Sequence, residues 1–186
     1  GIDCQRYSWN PEFNLYFAIA QPLFAAMKAL GADSGLAANE KVIIAHEWLG
    51  MPVVFAAQMT EPSQWRTIFY AHETVTARAL IEFHGGHDTR FYNTLFKAKD
   101  WQLDLDSIFG NQDQFFKHPI VKQATRCDNI FAVGDLVVEE LRFLGGNFRS
   151  ANIDLVYNGV VATPITLQAK LESKRLLQKY CENLLG

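Results

Sequence analysis

The ten residues KVIIAHEWLG, from Lys41 to Gly50, decide the fold of this chain. They begin with a short apolar run, Val42 to Ile44, of the kind found in strands that are buried on both faces of a parallel sheet. Two polar residues, His46 and Glu47, follow almost at once, and a helix-like segment comes next. The stretch therefore predicts an α/β fold with a polar site at the carboxyl end of a strand, where open sheets of this class bind ligands.

The same pattern occurs a second time further along the chain. Residues 67–70 form another β-rich run, and His72 and Glu73 follow it. Because the carboxyl ends of parallel strands meet at one edge of a sheet, we expect the two His-Glu pairs to share a site. A structural interpretation stays open for His46 and Glu47, because a histidine at a strand end often hydrogen-bonds only to neighbouring backbone.

The remaining elements fit a mostly parallel sheet with helical connections. Further strands are predicted at residues 130–133 and 153–157, and the helices between short apolar strands indicate right-handed crossovers. An N-terminal helix is predicted, which Pro22 kinks or divides into two short helices. Further helices are predicted over 48–59, 75–83 and 134–144, and an amphipathic helix from Thr166 to Leu184. Residues 91–127 are predicted to form short helices and loops, followed by a better helix from about His118 to Cys127.

Composition narrows the possible functions. The chain has 186 residues, of which 49% are apolar, and this is enough for one domain with a full core. A net charge of -3 with interspersed signs argues against a nucleic-acid groove or an anionic membrane as partner. No apolar run approaches the roughly 18 residues that span a bilayer. The three cysteines are far apart in the sequence, which predicts free thiols and a cytoplasmic setting.

A histidine-rich turn offers an alternative metal site. His84 and His87 flank two glycines, and Glu82 and Asp88 are close in the sequence. This spacing matches no standard zinc pattern, and glycine-rich polar turns often carry histidine. We therefore favour a simple turn here and predict neither a metal nor a cofactor for the chain.

Five motifs in a fixed order carry a resemblance to a known family. They are His46-Glu47-Trp48, a strand leading to His72, Phe91-Tyr92-Asn93, Ile130-Phe131-Ala132-Val133 before a helix, and Val156-Tyr157-Asn158-Gly159-Val160. In this order the motifs resemble the retaining glycosyltransferases of the glycogen and starch synthase type. The first and third motifs are closest to the glycogen synthase branch, and the helix from Gln168 is similar to the start of the second domain in bacterial members.

The resemblance implies the GT-B fold, in which two Rossmann-like, three-layer domains face each other across a cleft. Residues 1–163 would form an incomplete N-terminal, acceptor-side domain, and residues 164–186 a helix leading into a donor-binding domain that the chain lacks. The family's Lys-x-Gly-Gly motif is absent, and so are the Arg-Lys pair and the two glutamates of its donor site. We therefore expect part of a longer enzyme that transfers no sugar alone.

The resemblance also assigns roles to residues. The parent enzyme would move a hexose, glucose in the first place, from a nucleoside-diphosphate sugar to a glycan or another acceptor with retained configuration. His72 would be catalytic and would face the donor sugar through its backbone carbonyl or its imidazole. His46, Glu47 and Glu73 would shape the floor of the cleft, and Tyr92 would stack against a sugar ring. Cationic side chains and helix N-termini of the second domain would carry the phosphate charge, so no metal is implied.

A second interpretation stays open, namely a non-catalytic α/β module that binds a glycan or a partner protein. A flavodoxin-like or nucleotide-binding domain fits less well, because neither a G-x-G-x-x-G motif nor a P-loop follows any predicted strand. If the first strands of the domain are missing, an exposed sheet edge is also expected, and such an edge promotes self-association.

Overall fold

The chain folds around a parallel sheet. A computed structural model describes residues 2–31, 41–83, 87–159 and 164–185. Its sheet has four strands in the consecutive order β1-β2-β3-β4, and all neighbouring strands are parallel. The strands are β1 (Val42–His46), β2 (Arg66–Ala71), β3 (Asn129–Ala132) and β4 (Ile153–Leu155). The α/β class and the four strands predicted from the sequence are confirmed.

Helices form the connections between the strands, precede β1 and end the described chain. The described residues contain eight α-helices: α1 (Pro11–Gly31), α2 (Glu47–Thr60), α3 (Val75–Phe83), α4 (His87–Asp100), α5 (Leu105–Phe109), α6 (Lys117–Lys122), α7 (Asp135–Phe143) and α8 (Leu167–Leu185). The first helix packs on α2. Because α1 is continuous with Pro22 in its interior, the alternative of two consecutive short helices is wrong.

The segment between β2 and β3 contains more regular helix than the sequence predicts. Short helices and loops are expected from residue 91 onward, yet the 14-residue helix α4 runs through this part. Only Phe91, Leu95 and Ala98 of this helix are buried hydrophobics, at spacings of four and three residues, and the charged residues around them hide the pattern. The better helix expected from about His118 to Cys127 is α6 followed by a 3-10 turn at Gln123–Arg126.

The core lies between the helices and one face of the sheet. Alternate residues of the two central strands are buried there: Thr67, Phe69 and Ala71 of β2, and Ile130 and Ala132 of β3. An aromatic cluster joins this core to α1, because Phe116 meets Trp48 and Phe13 edge to face with ring centroids 5.3 and 5.7 Å apart. Aromatic contacts of this kind stabilise a fold by more than the burial of their apolar area alone.

The opposite face of the sheet is less covered. On β1, Val42 and Ile44 are 45% and 50% exposed, whereas Ile43 between them is 5% exposed. On β2 and β3, the residues that alternate with the core, such as Ile68 and Phe131, are half-buried. Among the described residues the helices therefore cover one face of the sheet, and the third layer that the family resemblance implies is not seen there.

Helix α8 extends from the rest of the chain with its side chains largely exposed. Leu167, Leu176 and Tyr180 are 72%, 70% and 62% exposed, although they are large and apolar. The helix predicted from Thr166 to Leu184 is thus confirmed as an element, and these three apolar side chains are largely uncovered by the described residues. No helix within the described ranges, α8 included, has the length and hydropathy needed to cross a membrane.

Asp128 fixes the amino ends of two neighbouring strands, and we expect its removal to destabilise the sheet. Its Oδ2 accepts hydrogen bonds from the backbone N–H of Thr67 at 2.7 Å and from the Thr67 hydroxyl at 2.9 Å. Thr67 is 2% exposed, so Asp128→Ala leaves buried donors unpaired and is expected to cost about 1–2 kcal/mol in urea denaturation. Asp128→Asn keeps an acceptor and should lose much less. Equal losses in the two variants would contradict this role.

Candidate functional site

β1 turns directly into α2 at Glu47, and the turn is strained. Glu47 has a φ of 55°, a left-handed conformation that costs a residue other than glycine roughly 1–2 kcal/mol. The packing behind the turn is very close, because a Cβ added to Gly50 would lie 2.7 Å from Cα of Ala45. The backbones of β1 and α2 are thus in close contact, and this packing holds Glu47 in its strained conformation.

The carboxylate of Glu47 reaches the turn that follows β2. Its Oε1 accepts hydrogen bonds from the backbone N–H groups of His72 and Glu73, the second at 2.9 Å. Burial raises the pKa of Glu47 to about 7, and these two hydrogen bonds oppose the rise without cancelling it. The nearby carboxylates of Glu73 and Glu140 raise this pKa further. A titratable acid with a pKa near neutrality therefore supports the turn that carries His72.

His46 and His72 are brought together at the carboxyl edge of the sheet. Nδ1 of His46 lies 2.8 Å from Nε2 of His72, and the two rings stack with an interplanar angle of 19°. The ring of Tyr70 lies against His72, with the centroids 4.5 Å apart. His46 is exposed and His72 is half-buried, so the histidine pair forms an open polar surface. The expectation that the two His-Glu segments meet at one edge is confirmed as geometry.

The histidine pair has a defined hydrogen-bonding character. In the neutral pair one of the facing nitrogens must carry the proton and the other must accept it. If His46 donates, its Nε2 is left as an acceptor and Nδ1 of His72 carries a proton. If His72 donates, the two outer nitrogens exchange these roles. In both tautomers the pair offers one N–H donor and one acceptor on its outer nitrogens.

The two other residues predicted for the site are placed differently. Glu73 is exposed, and its carboxylate lies 3.6 Å from Nε of Arg78 in an ion pair. Tyr92, on α4, donates its hydroxyl to Oε1 of Glu140 at 2.7 Å, and burial together with this bond raises its pKa to about 12. The ring of Tyr92 packs edge to face on Phe91. Stacking of Tyr92 against a sugar stays a prediction.

Glu140 is the residue of this region that the sequence analysis missed. It is 6% exposed, and its Oε2 accepts a hydrogen bond from the backbone N–H of Thr74 at 3.2 Å. Burial raises its pKa. A signal exists in the sequence, because Glu140 follows Val137 by three residues and precedes Leu144 by four. A charged residue on the apolar stripe of an amphipathic helix is unusual unless it has a partner.

In the part of the chain that the structure describes, metal-binding side chains are not clustered. Among the described residues, no three His, Cys, Asp or Glu side chains are grouped in a way that could hold a metal ion. The alternative site at His84 to Asp88 lies mostly outside the described residues, so it stays untested. The three cysteines are free, as the sequence predicts, and burial raises the pKa of the Cys127 thiol to about 12. Such a thiol is a poor ligand and a poor nucleophile.

Comparison with known proteins adds no family to this description. No protein-family model matches the chain, and no curated protein sequence matches it.

Proposed function

We propose that the chain is the acceptor-side part of a retaining glycosyltransferase that moves a hexose from a nucleoside-diphosphate sugar to a glycan or a similar acceptor. The observation that carries this proposal is the histidine pair, His46 and His72, at the carboxyl edge of a parallel sheet. Ligands of open α/β sheets bind at this edge. The order of the sequence motifs supports the reaction class, and the histidine pair supports the choice of residues.

The geometry suits the demands of sugar transfer. In the proposed reaction the bond from the anomeric carbon to the diphosphate breaks, and positive charge develops on the sugar ring. A bond from the same carbon to an acceptor hydroxyl oxygen forms, and the proton of that hydroxyl leaves with the diphosphate. His72 faces the sugar, and its outer nitrogen or its backbone carbonyl contacts a hydroxyl group of the ring. His46 holds His72 through the 2.8 Å contact between their nitrogens. An orienting contact of this kind places the imidazole before the substrate arrives, which lowers the cost of ordering it during the reaction.

The alternative of a non-catalytic binding module has its own observation. The exposed face of β1 and the exposed apolar residues of α8 are surfaces that a partner could cover. This alternative predicts no turnover of any sugar nucleotide. It also predicts that replacement of His72 leaves function unchanged, because neither surface depends on that side chain.

The experiment that tests the proposal is an assay of the natural-length gene product that contains this chain. UDP-glucose and ADP-glucose serve as donors and an α-glucan as acceptor, and release of nucleoside diphosphate is measured. We expect turnover of at least one donor, and we expect His72→Ala to lower kcat/KM by at least ~100-fold because a contact to the reacting sugar is lost. The far-UV circular dichroism spectrum and Tm of the variant should match those of the unaltered protein.

The matched control is Gln64→Ala, which changes an exposed residue before the amino end of β2, at the opposite edge of the sheet. It should leave kcat/KM within about twofold, as is usual for surface substitutions. Absence of nucleoside diphosphate release with every donor, or full turnover by a folded His72→Ala variant, would overturn the proposal.

A further inference from the structure

The turn between β2 and α3 is held through three successive backbone N–H groups. Those of His72 and Glu73 donate to Glu47, and that of Thr74 donates to Oε2 of Glu140 at 3.2 Å. The two glutamates come from opposite sides, because Glu47 follows β1 and Glu140 lies on α7, which follows β3. The central strand β2 pairs with both of these strands.

Glu140 is committed to this turn by its surroundings. It is 6% exposed, and burial of a carboxylate is costly unless hydrogen bonds compensate it. Both of its oxygens are used, one by Thr74 and the other by the hydroxyl of Tyr92 at 2.7 Å. Tyr92 lies on α4, so this one carboxylate connects α4, α7 and the turn after β2. A leucine at this position would fill the space at lower electrostatic cost but would form none of these bonds.

We propose that Glu140, held by Tyr92, is a positioning residue for His72 and forms one half of a carboxylate clamp whose other half is Glu47. The proposal rests on the proposed function for the meaning of His72, but the clamp itself is a property of the fold. Glu47 holds the turn from the β1 side and Glu140 holds it from the β3 side. Loss of either carboxylate leaves the turn attached on one side only, and His72 moves relative to His46.

Hydrogen exchange distinguishes this role from a general contribution to stability. Amide exchange at single residues reports local opening separately from global unfolding. We expect Glu140→Leu to raise the exchange rate at Thr74 and Glu73 by about tenfold or more relative to the rate at Phe69 in the core of β2. Glu140→Gln keeps an acceptor for Thr74 and should restore most of the protection.

Two further variants serve as a control and as a milder perturbation of the same contact. Glu139→Leu changes the neighbouring glutamate, which pairs with Lys99 at 2.7 Å and does not hold the turn, and should leave exchange at Thr74 unchanged. Tyr92→Phe removes one bond to Glu140 and should raise exchange at Thr74 by about threefold, so it serves if Glu140→Leu fails to fold. Exchange at Thr74 that rises only in proportion to exchange at Phe69, in both Glu140→Leu and Tyr92→Phe, would overturn the clamp.

Activity of the natural-length protein provides a separate reading. We expect Glu140→Leu to lower kcat by about tenfold with little change in KM, and to lower it no further when His72 is already alanine. If Glu140→Leu raises amide exchange at Thr74 as expected but the unaltered protein turns over no donor, the clamp is supported and the proposed function is refuted. Turnover that Glu140→Leu leaves unchanged would refute the positioning role, even where the turn exchanges faster.

Discussion

Glu47→Gln is expected to remove much of the pH dependence of folding stability between pH 4.5 and about 7. Burial raises the pKa of Glu47 from 4.5 to about 7 in the folded chain, so the folded chain binds more protons than the unfolded chain in this interval. Protonated Glu47 therefore adds to the free energy of unfolding. This contribution is fully present below pH 4.5 and is lost as the pH rises to about 7. The difference in pKa corresponds to on the order of 3 kcal/mol.

The measurement is the free energy of unfolding in urea at several pH values from 4.5 to 8, for the unaltered chain and for Glu47→Gln. Only the difference between the two curves is diagnostic, because other groups titrate as well. Glu140, whose pKa burial also raises, acts in the same direction, and His118, whose pKa burial lowers, acts in the opposite one. Glu172→Gln, at an exposed position on α8, is the control. Parallel curves for the unaltered chain and Glu47→Gln would contradict the prediction.

Gly50→Ala is expected to destabilise the fold by about 2–3 kcal/mol, because the added methyl group overpacks a close contact. In the interior of an ordinary helix this substitution is stabilising, since alanine has the higher helix propensity. Here the new Cβ would lie 2.7 Å from Cα and 2.8 Å from Cβ of Ala45. One of these atoms belongs to the backbone of β1, so α2 must move away from the strand and the turn at Glu47 must change with it.

The test compares Gly50→Ala with Gly31→Ala in urea denaturation. A Cβ at Gly31, the last residue of α1, would meet no atom of the described residues within 4 Å, so this control should be neutral or slightly stabilising. Gly50→Ala is therefore expected to lower the free energy of unfolding, and Gly31→Ala is not. A stabilised Gly50→Ala variant would mean that α2 can shift on β1 at no cost, and the backbone packing described for this turn would be wrong.

Much of the sheet could be predicted because its strands are short apolar runs with polar residues directly after them. The run at Val42 to Ile44 and the His-Glu pair behind it specify both a strand and its carboxyl end. Helix α4 is not predicted in the same way, because aromatic and charged residues are mixed along it. The helical spacing of its buried residues becomes visible only once the structure shows which positions are buried. Propensity and pattern also do not reveal that α1 tolerates Pro22.

The site could be predicted as a place but not as a network. Adjacent parallel strands bring His46 and His72 to one edge, and this follows from the pattern alone. The hydrogen bonds of Glu47 depend on its left-handed backbone conformation. The neighbouring residue types do not predict this conformation. Glu140 comes from a helix more than sixty residues away from Thr74 in the sequence, and its side chain finds the turn only through the tertiary packing of α7.

The consecutive order of the strands has a consequence for assembly. Each strand pairs with the one that precedes it in the sequence, so the sheet grows at a single edge and no strand has to enter between two that are already paired. A chain that emerges from the ribosome with its N-terminus first can add the strands in the order of their synthesis. The polar edge is then built in the same order, with His46 in place before His72 joins it and Glu140 arriving last to close the turn.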